Sequence, residues 1–123
     1  MNATFDTNIL IDYLRGIALA KSELLSYEKK FISVVTWMEV LVGAKNKEEE
    51  AIISNFLSMF ELIPLTETIA LLAVKIRRTT KLKLPDAIVL ATSRAQGTIL
   101  VTRNTKDFNA EEPEIRVPYK IGG

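Results

Sequence analysis

Short apolar runs alternate with amphipathic helical segments along this chain, and this alternation is the feature that most restricts its fold. The runs are rich in β-branched residues, as in residues 31–35, which is typical of strands. The longer segments repeat apolar residues with helical spacing, as at Ile53, Phe56, Leu57 and Phe60. Strands that alternate with helices predict an α/β domain with a mostly parallel sheet.

The predicted elements form a single domain that spans residues 1–123, a length that suits one hydrophobic core. Predicted strands cover residues 3–6, 31–35, 62–65, 98–102 and 115–117. Predicted helices cover residues 7–15, 17–29, 36–45, 48–60, 66–78 and 85–97. Pro64 lies within the third strand, which predicts that this strand is at an edge of the sheet.

Three of the predicted strands are followed by an acidic residue. Asp6 ends the first strand where the chain turns into a helix, Glu39 lies about one helical turn beyond the second, and Asp107 follows the strand that ends at Thr102. Because the carboxyl ends of parallel strands share one edge of a sheet, these acids should converge there. Asp86 begins a helix that is apolar on nearly all sides, so we expect this helix to be largely buried and the acid on it to need a partner.

Each acid also has an ordinary structural explanation when it is taken alone. Asp6 suits the N-cap of the following helix. Glu39 would complete a capping box with Thr36, in which the glutamate reaches back to a free backbone amide. Asp86 suits the first turn of a helix, where a carboxylate complements the helix dipole, and Asp107 lies in a polar loop, where aspartate is common.

The residue types that are missing restrict the chemistry further. The chain contains no histidine and no cysteine, which excludes Ser-His and Cys-His catalysis, disulfides, and thiolate or imidazole metal ligands. Oxygen ligands remain, and they suit hard ions such as Mg²⁺ or Mn²⁺. Several acids crowded together without neighbouring cations need such an ion to neutralise them. The lack of cysteine also indicates a cytoplasmic protein, and no apolar run is long enough to span a bilayer.

Taken together, the acidic stretches resemble those of PIN-domain ribonucleases of the VapC toxin type. The matching stretches are residues 6–11 (DTNILI), 39–43 (EVLVG), 85–91 (PDAIVLA) and 100–108 (LVTRNTKDF). Any one of them is a weak signal, but all of them in this order and at these separations are specific. The resemblance implies a central parallel sheet of four or five strands with helices on both faces.

The resemblance also implies an activity and a site. It implies an endoribonuclease that uses one or two Mg²⁺ or Mn²⁺ ions, blocks translation, pairs with a cognate antitoxin and forms a homodimer. Its catalytic metal ligands would be Asp6, Glu39, Asp86 and Asp107, with Asp6 and Asp86 as the primary ligands. Its supporting polar residues would be Thr7, Asn8, Thr102 and Asn104.

RNA binding requires local clusters of cations, because the net charge of the chain is only +1. The candidate RNA-binding residues are Arg77, Arg78, Lys81, Lys83, Arg103 and Lys106. The first four belong to a run without acids, and the last two flank Asp107. The alternative for the run is a solvated helix end, where cations complement the helix dipole.

Two other functional classes fit parts of the pattern. A haloacid-dehalogenase-like phosphatase also has an aspartate after its first strand, but its chemistry needs an acid two residues later, where this chain has Asn8. No matching downstream lysine motif is present either. A non-catalytic binding module would use the acids only as helix caps, and the recurrence of polar clusters would then be coincidental. An Asp6→Asn substitution separates these classes, because it would abolish metal-dependent RNA cleavage only in a nuclease.

Overall fold

The computed structural model describes residues 1–121, in which strands and helices alternate as predicted. Residues 122 and 123, the end of the predicted domain 1–123, lie outside the described residues. The strands are β1 (Asn2–Phe5), β2 (Lys29–Ser33), β3 (Glu61–Ile63), β4 (Ile99–Val101) and β5 (Ile115–Arg116). The helices are α1 (Thr7–Leu14), α2 (Ala18–Leu25), α3 (Val34–Leu41), α4 (Lys47–Leu57), α5 (Glu67–Thr79) and α6 (Leu84–Ala95). Within residues 1–121 no helix has the length and apolar character needed to cross a membrane.

All neighbouring strands of the sheet are parallel, in the order β3-β2-β1-β4-β5. The predicted fold class is therefore confirmed, with five strands. The strand before Pro64 lies at one edge, as predicted, because proline lacks the amide that a central strand donates. The register pairs Thr4 with Phe31 on one side of β1 and with Leu100 on the other.

Apolar side chains cover both faces of the sheet. One core cluster joins β1 to helices α1 to α4 and includes Phe5 and Leu24. The other joins β4 to α5 and α6 and includes Ile76 and Leu100. Successive side chains of a strand point to opposite faces, so Leu100 belongs to the second cluster and its neighbour Val101 to the first. The predicted placement of helices on both faces is confirmed.

The strand order reverses at β1, which lies in the middle of the sheet. From β1 the chain adds β2 and then β3 on one side, and it adds β4 and then β5 on the other. In open parallel sheets a crevice forms at the carboxyl ends of the strands at this reversal point. The residues that directly follow β1 and β4 are Asp6 and Thr102. The topology therefore brings these two residues, which are 96 positions apart, to the same crevice.

The boundary between β2 and α3 differs from the prediction. The strand was expected to continue through Val35, but β2 ends at Ser33 and α3 begins at Val34. Ser33 is the N-cap of α3, because its Oγ accepts a hydrogen bond from Thr36 N at 3.1 Å. Val34 and Val35 have a high strand propensity, but the serine cap and the packing of the helix outweigh it.

Candidate active site

Asp6 joins β1 to α1 and is held from three directions. Its Oδ1 accepts from Thr7 N at 2.8 Å, and its Oδ2 accepts from Thr102 Oγ1 at 2.7 Å and from Asn8 Nδ2 at 3.2 Å. The side chain is 5% exposed. The structural explanation of Asp6 as the N-cap of α1 is therefore correct. A carboxylate has about four acceptor positions, so the cap leaves one of them available.

The Asp6 carboxyl has a raised pKa. Burial is the main cause, and the hydrogen bonds from Thr102, Thr7 and Asn8 oppose it. The nearby Glu39 carboxylate raises the pKa further. Hydrogen bonds to the charged form thus hold Asp6 in a fixed orientation, while its surroundings favour an added positive charge.

Glu39 lies in the second turn of α3 and does not form the capping box proposed as its alternative. That interpretation is wrong because α3 begins at Val34 and is capped by Ser33, so Thr36 is already inside the helix. Glu39 Oε1 instead accepts from Thr7 Oγ1 at 2.5 Å. The glutamate is exposed, and it lines a cavity of about 500 Å³ together with Gly43.

Asp86 lies in the first turn of α6 and is half-buried. The expectation that its helix would be largely buried is confirmed, since most residues of α6 from Ala87 to Ser93 are buried, whereas Asp86 itself lies at the more open start of the helix. Its pKa is raised to about 6. Burial is the largest cause, followed by the charges of Asp6, Asp107 and Glu39, while Lys83 lowers the pKa. Acids from distant parts of the chain therefore lie near Asp86.

The loop after β4 carries the fourth acid. Asp107 is exposed, and its Oδ2 accepts from Asn104 Nδ2 at 2.9 Å. Asn104 Oδ1 accepts from Asp107 N at 3.2 Å, and Asn104 N donates to Thr102 Oγ1 at 3.0 Å. Thr102, which is fully buried, thus connects Asp6 to the loop that carries Asp107.

The acids are neighbours, but they do not close around one point. Among residues 1–121, no three acidic side chains lie close enough to hold a metal ion. Charges nevertheless act on one another over distances longer than a metal–ligand bond, which is why three carboxylates raise the pKa of Asp86. These acids therefore lie near one another without forming a closed cage.

The candidate RNA-binding cations lie in different environments. Arg77 and Arg78 are exposed in the last turn of α5. Lys81, Lys83 and Lys106 are exposed as well, and Lys81 lines a cavity of about 300 Å³ together with Asp107. Arg103 differs from these residues, because its guanidinium forms a two-pronged ion pair with Asp12 at 2.5 and 2.8 Å. This pairing neutralises the charge that was expected to face RNA.

Two residues of this region were missed in the sequence, Asp12 and Tyr119. Asp12 is 2% exposed and receives hydrogen bonds from Arg103 and, at 2.9 Å, from the hydroxyl of Tyr119. An acid within the apolar run of α1 was a usable signal, since a buried carboxylate needs a partner. Nothing in the sequence points to Tyr119, which is 107 positions away from Asp12.

The raised pKa of Asp86 predicts how metal-free protein responds to pH. An acid whose pKa is higher in the folded state, here about 6 against an ordinary 3.8, stabilises the fold at low pH. That stability is lost as the pH rises through about 6. We therefore expect the melting temperature of wild type in chelator, relative to that of Asp86→Asn, to fall between about pH 4 and pH 6 and then to level off.

The comparison with Asp86→Asn cancels the contributions of groups that lie away from Asp86. Glu23 and Glu114, whose pKa values are lowered, contribute the opposite slope in both proteins. If the melting temperatures of the two proteins changed with pH in parallel across this range, the charge repulsion could not be assigned to Asp86.

Known proteins share both the sequence pattern and the fold. The PIN domain family model matches residues 3–110. Ribonuclease VapC10 of Mycobacterium tuberculosis is 31% identical over 126 residues, which cover 96% of this chain and 93% of VapC10. A toxin–antitoxin complex from Klebsiella pneumoniae contains a chain that is 48% identical, with a TM-score of 0.90 and coverage of 97% of this chain and 99% of that one. DNA-bound VapBC from Salmonella typhimurium shares the fold at 23% identity, with a TM-score of 0.79 and coverage of 94% and 96%.

Proposed function

The chain belongs to the PIN domain family, and from this premise we propose that it is a metal-dependent endoribonuclease that hydrolyses RNA phosphodiester bonds. We propose further that it is the toxin of a toxin–antitoxin pair and blocks translation by cleaving RNA in the cytoplasm. The observation that carries the proposal is the raised pKa of Asp86, to which Asp6, Asp107 and Glu39 each contribute. Acids gathered from separate elements at one crevice favour a divalent ion.

The donor set fits Mg²⁺ or Mn²⁺, because carboxylate oxygens are the ligands these ions prefer. In the proposal Asp6 and Asp86 are the primary ligands of one or two ions. Asp6 is fixed by its hydrogen bonds, whereas Glu39 and Asp107 are exposed. Thr7 and Asn104 hold these two side chains by hydrogen bonds beside the crevice, where they would complete the coordination.

The ion would lower the pKa of a bound water and neutralise charge on the scissile phosphate. The protein's part is to hold the ligands in place before RNA arrives. Thr102 and Asn8 fix Asp6, Thr7 fixes Glu39, and Asn104 fixes Asp107. These four supporting residues would therefore act through the carboxylates that they orient.

RNA would approach the crevice along its exposed cations. Lys106 directly precedes Asp107 in the chain, Lys81 lines the same cavity as Asp107, and Lys83 is close enough to Asp86 to lower its pKa. We propose that these lysines contact phosphates, with Arg77 and Arg78 extending the basic surface. Arg103 is left out of this set because Asp12 already neutralises it.

An antitoxin partner and a homodimer complete the proposal. The solved structures with this fold include toxin–antitoxin and VapBC complexes, which supports a protein partner for this chain. Exposed apolar side chains on α3 and α5, including Met38, Leu71 and Val74, offer area for contact with a second copy or with the antitoxin.

The phosphatase and binding-module alternatives have less support. Asn8, which stands where the phosphatase needs an acid, uses its amide to donate to Asp6 and Thr102. A binding module gives no reason for Asp6, Glu39 and Asp107 to crowd Asp86.

The proposal predicts that purified protein cleaves RNA in Mg²⁺ or Mn²⁺ and not in excess chelator. The measurement is cleavage of total RNA, followed by sequencing of the new 5′ ends to identify the site. Asp6→Asn protein purified in parallel controls for contaminating nucleases. Full activity in chelator, or equal activity in the Asp6→Asn preparation, would show that the proposal is wrong.

A further inference from the structure

Two clusters built from the same three kinds of side-chain group connect distant parts of this chain. Each contains a buried carboxylate, an arginine that binds it with two nitrogens, and a tyrosine hydroxyl that donates to it. We call them the Asp12 cluster (Asp12, Arg103 and Tyr119) and the Glu23 cluster (Glu23, Tyr27 and Arg116). The first is attached to the candidate active site through the backbone N–H of Arg103, which donates to the side chain of Asn8. Within residues 1–121, the second contacts a site residue only through the backbone, where Thr102 N donates to Arg116 O.

The Asp12 cluster is well satisfied and largely shielded from water. Arg103 Nε and Nη2 donate to the two oxygens of Asp12 at 2.5 and 2.8 Å, and the Tyr119 hydroxyl donates at 2.9 Å. Asp12 is 2% exposed, and the Arg103 side chain is 29% exposed. A buried ion pair contributes little net stability because both charges lose their hydration. Conformational specificity is therefore the more informative role to test for this pair.

Arg103 stands at the centre of the loop that carries the site residues. Its neighbours in the chain are Thr102, which donates to Asp6, and Asn104, which donates to Asp107. Its own backbone N–H donates to Asn8 Oδ1 at 3.0 Å, and Asn8 Nδ2 donates to Asp6 Oδ2 at 3.2 Å. The backbone and the side chain of Arg103 thus bind the same helix, α1, one at Asn8 and the other at Asp12, which is four residues further on.

We propose that Asp12 is a positioning residue for the active site. Asp12 binds the guanidinium of Arg103 and thereby holds the loop after β4 against α1. The position of this loop sets the position of Asp107 relative to Asp6. Tyr119, in the C-terminal segment, donates a hydrogen bond to Asp12, so this segment also helps to hold Asp12 in place. This inference rests on the proposed nuclease function, in which Asp6 and Asp107 share an ion.

The Glu23 cluster supplies a matched control. Arg116 Nε and Nη2 donate to Glu23 at 2.6 and 3.0 Å, and the Tyr27 hydroxyl donates at 2.9 Å. Glu23 is 7% exposed, so the two carboxylates are buried to a similar extent, although the side chain of Arg116 is 48% exposed and that of Arg103 29%. It ties α2 to β5, and β5 itself is fixed to β4 by the strand ladder. Glu23→Gln and Tyr27→Phe therefore disturb a similar cluster without releasing the Asp107 loop.

The experiment compares Asp12→Asn with Glu23→Gln, and Tyr119→Phe with Tyr27→Phe, in the full chain. We expect the members of each pair to lower the melting temperature by similar amounts. Asp12→Asn, but not Glu23→Gln, should lower kcat for RNA cleavage by about tenfold, with KM changed less than about twofold, because the removal of a residue that orients metal ligands costs about 10- to 100-fold. It should also raise the Mn²⁺ concentration that gives half-maximal rate.

A second readout needs neither metal nor activity. In chelator, the amides of Arg103 and Asn104, which donate to Asn8 and Thr102, should exchange with solvent at least about tenfold faster in Asp12→Asn than in Glu23→Gln, since local opening sets exchange. If Asp12→Asn does not fold, the same exchange measurement is made on Tyr119→Phe and Tyr27→Phe. The amides of Arg103 and Asn104 should then exchange faster in Tyr119→Phe.

The outcomes separate this inference from the proposed function. Equal kcat in Asp12→Asn and Glu23→Gln, or equal exchange of the two amides, would overturn the positioning role. Wild-type protein that does not cleave RNA with any divalent ion would instead overturn the proposed function, and the exchange measurement would still decide whether Asp12 holds the loop.

Discussion

Asp6→Asn is expected to lower the rate of RNA cleavage by about a thousandfold, because the change removes one ligand charge from the proposed ion. A bound ion stabilises the charge of the transition state by several kcal/mol, and each 1.4 kcal/mol is tenfold in rate. Asparagine has nearly the same shape, and its amide oxygen still accepts a hydrogen bond as the N-cap of α1. The loss should therefore appear in kcat at saturating RNA and Mn²⁺, with the fold intact.

A cap at another helix serves as the control. Asn46 is the N-cap of α4, where its Oδ1 accepts from Glu49 N at 2.8 Å. Asn46→Ala should cost about 1 kcal/mol of stability, as the loss of a helix cap does, and leave kcat unchanged. If Asp6→Asn kept a tenth or more of the wild-type kcat, Asp6 would be only a structural cap and the metal site would be wrong.

Asp6→Asn is also expected to weaken binding of the antitoxin, by about thirtyfold or more. An inhibitor that places a basic side chain among Asp6, Glu39, Asp86 and Asp107 would substitute for the charge of the ion. Truncating one partner of a buried charge pair at an interface costs about 2–5 kcal/mol. The measurement is the Kd of wild type and Asp6→Asn for the product of the neighbouring gene, expressed together with this protein and then separated.

A distant acid controls for the change in net charge. Glu28 is highly exposed and lies beside the N-terminal amine at 3.9 Å, at the amino end of β1 and away from the crevice. Glu28→Gln removes the same charge and should leave the Kd unchanged. If Asp6→Asn bound the partner as tightly as wild type does, the inserted cation would be excluded. The partner would then inhibit by covering the crevice from outside or by holding a dimer in an inactive arrangement.

The positions of the acids could be predicted because they follow from topology. Asp6 and Asp107 follow buried strands of a parallel sheet, and such strand ends meet at one edge whatever the details of the loops. Asp86 follows Pro85, and proline is common in the first turn of a helix. In the structure both residues lie in the first turn of α6, as this local pattern predicts. Strand and helix periodicity therefore predicted that residues 6 and 107 would meet, whereas the family resemblance placed residue 86 with them.

Features that depend on long-range side-chain contacts could not be predicted. The end of β2 was placed two residues late because Val34 and Val35 favour strands locally, whereas the cap at Ser33 starts a helix. Arg103 was assigned to RNA because it flanks Asp107, but its partner, Asp12, is 91 positions away. The position of Asp12 in an apolar run signals that it needs a partner, but nothing in the sequence identifies Arg103 as that partner.

Calorimetric titration of Mn²⁺ into metal-free protein tests the central claim most directly. The account predicts saturable binding of one or two ions per chain to wild type, because the crevice gathers carboxylates that repel one another without an ion. It predicts binding at least about tenfold weaker for Asp86→Asn, since a charged ligand is lost from the site. Glu28→Gln should bind as wild type does. Wild-type protein that shows no saturable binding, or Asp86→Asn protein that binds Mn²⁺ as tightly as wild type, would contradict it.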